Sequence, residues 1–244
     1  MSMDLYPAKD LEERLPTVSA TGLGAASLFF RNRSDLWADF HGRDLRTNFP
    51  GIRQLDYAFD GAAADDMLHF ELVLDSSSLT KFCVLTTVTI GGNDLLEIED
   101  HPEDAGKILQ RLKSDYLNML QLLQRAVPEG LTILTTLYDP TDGLGELPEN
   151  QLVRIVPLKE FAEFNDFVRA MPDTYQNVIV ADVHKVMFGH GESANHDDRW
   201  YWNSSRIEPN VRGAHEIRKV WYECLQSHSA GLEYSLEAGS SSGG

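Results

Sequence analysis

Only two cysteines stand in the 244 residues, Cys83 in an apolar run and Cys224 in a helical pattern. Two thiols so far apart make neither a disulfide framework nor a cysteine-based metal cluster, so both read as core thiols. No apolar stretch approaches the ~20 residues that cross a bilayer. No basic segment followed by an apolar core opens the chain, so no secretory leader is legible. A cytoplasmic setting is expected, unless the chain is a mature or trimmed form. Basic residues are scarce: 21 Lys and Arg stand against 38 Asp and Glu, for a formal net charge of −17. A field of that sign repels phosphate backbones and anionic lipid, which argues against nucleic acid and against peripheral membrane binding. Gly22-Leu23-Gly24 falls short of a dinucleotide fingerprint, so no nucleotide cofactor is expected. Asp139, Asp142, Asp182, Asp197 and Asp198 offer oxygen ligands but match no cation-binding loop, so no metal is expected either.

What is present is an alternation. The hydrophobic content is 42%, enough for one well-packed α/β domain and too little for two of ordinary size. Short apolar runs at Gln54–Phe59, Phe82–Ile90, Leu131–Tyr138 and Asn177–Val183 are rich in Val, Ile, Leu and Thr and end at Gly, Asp or Pro. They read as buried strands of a parallel sheet. Between and around them lie helical patterns at Asp35–Leu45, Glu103–Ala126, Leu158–Ala170 and Gly213–Gln226. The strongest repeats Ile108, Leu109, Leu112, Tyr116, Met119, Leu120 and Leu123 at helical spacing, between Pro102 and Pro128-Glu129-Gly130. Strands alternating with helices predict a doubly wound, three-layer α/β/α domain over residues 1–230. Residues 231–244, ending in AGSSSGG, read as a flexible low-complexity tail.

Ligands of an open parallel sheet bind beyond the carboxyl ends of its strands. The four apolar runs are followed by Asp60-Gly61-Ala62, by Gly91-Gly92-Asn93-Asp94, by Tyr138-Asp139-Pro140-Thr141-Asp142-Gly143, and by a stretch holding Asp182, His184 and Gly189-His190-Gly191. Gly61 allows a backbone N–H to approach a ligand without a Cβ in the way. Asn93 can aim a side-chain amide at the same point. Donors from two loops converging on a developing negative charge are what acyl transfer requires. Each glycine alone reads equally as a plain turn residue.

The combination resembles a known family. Val88-Thr89-Ile90-Gly91-Gly92-Asn93-Asp94 resembles the third conserved block of the SGNH (GDSL-type) hydrolases, and Asp60-Gly61-Ala62-Ala63-Ala64-Asp65-Asp66 resembles the second. Glu208-Pro209-Asn210-Val211-Arg212-Gly213-Ala214 resembles the fifth, which usually opens with a catalytic His before Pro. The resemblance covers about 230 residues. It implies an SGNH-like, flavodoxin-like fold and hydrolysis of a small-molecule ester by a serine nucleophile. A base and a supporting Asp would activate the serine, and no cofactor would be needed. Gly61 and Asn93, beside Asp94, would bind the oxyanion.

Two positions depart from the family pattern. Glu208 stands where the His belongs, and a carboxylate at its ordinary pKa of ~4.3 is a weak base unless burial raises it. His190, between two glycines, is the alternative base, with Asp182 or Asp198 in support. His196 beside Asp197 and Asp198 reads as a solvated turn, and His215 as a structural helix residue. The second departure is the nucleophile, because no G-D-S occurs. Met1-Ser2-Met3-Asp4-Leu5-Tyr6-Pro7 resembles the segment that follows G-D-S in one branch of the family, which would put the first strand just before Met1. Otherwise Ser2, or Ser27 in Leu23-Gly24-Ala25-Ala26-Ser27, serves in a divergent first block. The competing expectation is a ligand-binding domain that keeps the pocket without the chemistry. Trp200-Tyr201-Trp202 suits either a pocket wall or loop packing. Arg199, Arg206 and Arg212 read as ion-pair partners on an acidic surface.

Overall fold

The computed structural model describes residues 22–72, 79–149, 152–203 and 205–241. Ser2 and the segment around it lie outside them.

Among the described residues, three strands form a parallel sheet: β1 (Leu85–Val88), β2 (Leu131–Thr135) and β5 (Val178–Ala181), in the order β1-β2-β5. Strand alternation assigns the two faces. Val88, Leu134 and Val180 are in register and pack into one core. Ile133 and Ile179, one position earlier, pack into the other. The first core is covered by α3 (Gly92–Asp100), α4 (Ala105–Ala126) and α5 (Leu158–Arg169). The second is covered by α1 (Ala25–Phe30), α6 (Val183–Met187) and α7 (Val211–Ser241). This is the α/β/α layering that the alternating pattern predicts. An antiparallel hairpin, β3 (Glu146–Glu149) with β4 (Leu152–Ile155), sits between β2 and α5.

Helix α4 buries the expected stripe, with Leu112, Tyr116, Met119 and Leu120 at 1% exposure or less. That regularity is why its sequence was readable. Helix α7 extends further than the expected Gly213–Gln226. Asn210 starts it early: its Oδ1 accepts the Arg212 and Gly213 amides at 2.9 and 3.1 Å. Helix α7 also runs on through Ser241, into the stretch where a flexible tail is expected.

Two expected elements do not form. Gln54–Phe59 is not a strand, and Leu55 and Phe59 are 61% and 42% exposed. A strand needs a neighbour to pair its main chain, and the alternation of Leu55, Tyr57 and Phe59 cannot supply one. The helix expected at Asp35–Leu45 is replaced by a short 3-10 turn, Ala38–Phe40, and by α2 (Leu45–Asn48). Gly42 takes φ +78° between them, and Asp44 then caps α2 by accepting the Thr47 amide at 2.8 Å.

Candidate active site

The site begins where β1 leaves the sheet. Gly91 turns with φ +110° and caps α3. A Cβ there would lie 2.7 Å from the Phe164 ring, so both backbone and space require glycine. The turn places Asn93 and Asp94 in the first turn of α3. Asn93 Nδ2 donates to the Ala62 carbonyl at 2.8 Å. The buried Asp94 carboxylate accepts the Ala64 amide at 3.0 Å. These bonds pin the turn that carries Gly61, itself at φ +78°, against the start of α3. The second and third sequence blocks, some 30 residues apart, thus form one structure. Burial raises the Asp94 pKa to about 6, although the Ala64 amide pulls it down.

A cleft of about 780 Å³, open mouth included, runs along this junction. Ala62, Gly91, Gly92 and Asn93 line it from one side, Leu137, Tyr138 and Pro140 from the loop after β2, and Ile207 from the loop before α7. The Leu137 main chain is held on both sides by a single side chain. Asn165, buried on α5, accepts the Leu137 amide at 2.7 Å and donates to its carbonyl at 2.9 Å. An Asn on an otherwise apolar helix face gave no sequence signal of that role.

Glu208 follows Ile207 and is 2% exposed. Its backbone is fixed: its carbonyl accepts the Trp202 amide at 2.9 Å, and its amide donates to Ser205 at 3.0 Å. Asn210 ties the same loop down by donating Nδ2 to the carbonyls of Arg199 and Tyr201. Among the described residues Glu208 Oε2 has no hydrogen-bond partner. Burial raises its pKa to about 7, and the negative charge of Asp60 adds to the effect. The proton affinity needed for a carboxylate base is therefore present at the position that departs from the family pattern.

The remaining candidates lie elsewhere. Asp182 accepts two hydrogen bonds from Arg169, at 3.0 and 3.1 Å, and one from Thr136 at 2.9 Å. Burial pushes its pKa up, but these bonds and the Arg169 charge outweigh it and hold the carboxyl below its ordinary range. His190 stacks on Trp200 at 3.5 Å, with Arg212 above the same indole. Neither residue lines the cleft. Each side chain has partners of its own, Arg169 and Thr136 for Asp182 and the Trp200 ring for His190. Ser27 lies on α1, which packs along α7, and does not line the cleft. His196 is exposed and pairs with Asp197, and Asp198 is exposed beside it. Arg199 and Arg206 both bind Glu192, at 3.0 and 2.6 Å, rather than Glu208. Asp139 and Asp142 organise their own loops, Asp142 accepting the amides of Gly189, Gly191 and Ser193. His215 is buried against Trp37 and accepts from Arg218, with burial first and the Arg218 charge second lowering its pKa to about 3.

No family model and no curated protein matches this sequence. Solved structures do match. A GDSL-like lipase from Parabacteroides merdae aligns with a TM-score of 0.50 at 15% identity, covering 67% of this chain and 68% of its own. An extracellular lipase from Streptomyces rimosus aligns at 0.52 and 16%, covering 91% of each chain. The fold is that of GDSL-type lipases. LAE5, an alpha/beta hydrolase enzyme from the metagenome of Lake Arreo, Spain, aligns at 0.53 and 21%, covering 84% of each chain. On this GDSL-lipase-like fold, Ala62 of the Gly61 turn, Asn93 of α3 and Ile207 come from three separate segments and line one cleft, while Gly61 and Glu208 are neighbours of lining residues rather than lining residues themselves. No helix among the described residues is long and apolar enough to cross a membrane.

Proposed function

We propose that the chain hydrolyses carboxylic esters or O-acyl groups through a serine nucleophile. The observation that carries the reading is the junction of Asn93 with the Gly61 turn, at an apolar cleft that Ile207, the sequence neighbour of the buried Glu208, helps to line. The fold neighbours described as lipases and hydrolases support the same class. Ser2 is the nucleophile of this reading, and it lies outside the described residues. Its Oγ attacks the ester carbonyl and its proton passes to the Glu208 carboxylate. A group with a pKa of about 7 is half ionised at neutral pH, near the optimum for a general base. The negative charge on the carbonyl oxygen is met by the Gly61 N–H and the Asn93 amide. Collapse expels the alcohol, which takes the proton back from Glu208. Water then repeats the cycle on the acyl-serine and releases the acid.

The test is turnover of short p-nitrophenyl esters together with stoichiometric fluorophosphonate labelling mapped to its residue. Asn93→Ala is expected to lower kcat by ~10²-fold or more, the usual loss on removing one oxyanion donor. No labelling, or an unchanged rate in Asn93→Ala, overturns the reading. The second reading is a binding domain without chemistry on the same fold. It draws on a specific observation: no Ser or His lines the cleft among the described residues. Ligand-induced stabilisation without turnover would support it.

A further inference from the structure

We infer that the cleft beside Asn93 accepts an unbranched apolar acyl chain of medium length, in preference to an acetyl group or a hydroxylated acid. The inference rests on the ester-hydrolase reading for its chemistry, but its walls can be tested without turnover. Among the described residues no charged side chain lines the cleft, and Thr89, Asn93 and Tyr138 supply its few polar side chains. The rest of the wall is aliphatic or aromatic. Leu95 and Leu96 of α3 line it, as do Val156 just after β4, Phe161 of α5, and Ile207 of the Glu208 loop. A sugar acid or a dicarboxylate placed there would bury hydroxyl or carboxylate groups with too few partners. An acetyl group would leave most of the apolar wall uncovered. Asn93 lines this wall and also donates to Ala62 of the Gly61 turn, so the carbonyl end of a bound chain would lie at Asn93.

The experiment uses the full 244-residue chain. Calorimetric titration compares decanoate with acetate, and initial rates compare p-nitrophenyl acetate, butanoate, hexanoate and octanoate. Each methylene that enters the cleft is expected to raise kcat/KM by about fourfold, the equivalent of ~0.8 kcal/mol. Decanoate is expected to bind at least tenfold tighter than acetate. Leu96→Trp fills the cleft from α3, and Ile207→Trp fills it from the opposite loop. Each is expected to lower the octanoate-to-acetate rate ratio at least tenfold. The second variant keeps the test alive if the first does not fold. Hydrolysis that is fastest on acetate, with a ratio that neither variant moves, overturns the acyl-chain inference while the hydrolase reading stands. Tight decanoate binding that both variants weaken, without hydrolysis of any ester, upholds the cleft and overturns the hydrolase reading.

Discussion

The Glu208 side chain couples two effects of opposite sign. Its folded pKa, about 7, lies above the ordinary Glu value, so between about pH 4.5 and pH 7 the folded state holds a proton that the unfolded chain releases. Stability therefore falls as pH rises through that window, while the ionised fraction that a base requires grows. Glu208→Gln removes the titration and keeps the shape. From pH 4 to pH 8, its stability relative to the parent chain is expected to move ~3 kcal/mol in the variant's favour, read by denaturant unfolding. Over the same window kcat/KM of the parent is expected to rise with a midpoint near 7 and that of Glu208→Gln to stay low. A pH-independent stability difference would mean that the carboxyl is not held out of water. Gly91 makes a simpler residue-level case. Gly91→Ala meets both a φ of +110° and the Phe164 ring at 2.7 Å. A loss of ~2–4 kcal/mol is expected in thermal unfolding, the range for overpacking plus backbone strain. Gly61, with the same positive φ but open space around it, would lose only the backbone part.

Elements were legible in proportion to how locally their causes act. Helix α4 carries its reason in its own spacing, and β1, β2 and β5 carry theirs in short β-branched runs closed by turn residues. Gln54–Phe59 has a strand's composition, but a strand is a relation between two segments, and this one forms no strand among the described residues. The site follows the same rule. Motif order points to Gly61, Asn93 and Glu208, and Asn93 lines the cleft together with Ala62 and Ile207, the sequence neighbours of the other two. The contacts of Asp182 with Arg169 and of His190 with Trp200 leave no mark in the local sequence. Asn165 could not be found at all, since its task is to serve as a strand partner for one residue. Asn165→Leu therefore gives an element-scale prediction. Leucine keeps the branched shape and improves helix propensity, but leaves the Leu137 amide and carbonyl without their Asn165 partners. A net loss of ~2–4 kcal/mol is expected from denaturant melts. A neutral result would show that water or main-chain movement satisfies Leu137 without α5.

At the scale of the whole molecule, the acidic excess acts on everything at once. The formal charge of −17 means that compacting the chain brings like charges together, a cost that salt screens. The visible ion pairs offset it only locally, because most are exposed pairs of the kind worth a few tenths of a kcal/mol. Raising NaCl from 10 mM to 500 mM at pH 8 is therefore expected to raise Tm. Each kcal/mol of relieved repulsion gives about 2–4 °C in a chain of this size. The gain should level off once the screening length falls to a few Å, and an equal osmolality of sucrose separates screening from general exclusion effects. The same field bears on substrate choice. An ester whose alcohol part carries a phosphate or carboxylate must approach against it, whereas a neutral ester need not. The kcat/KM ratio of neutral to anionic esters should therefore be largest in dilute buffer and shrink as salt is added. A Tm independent of salt, with a ratio equally independent of it, would place the excess charge where neither folding nor the cleft senses it.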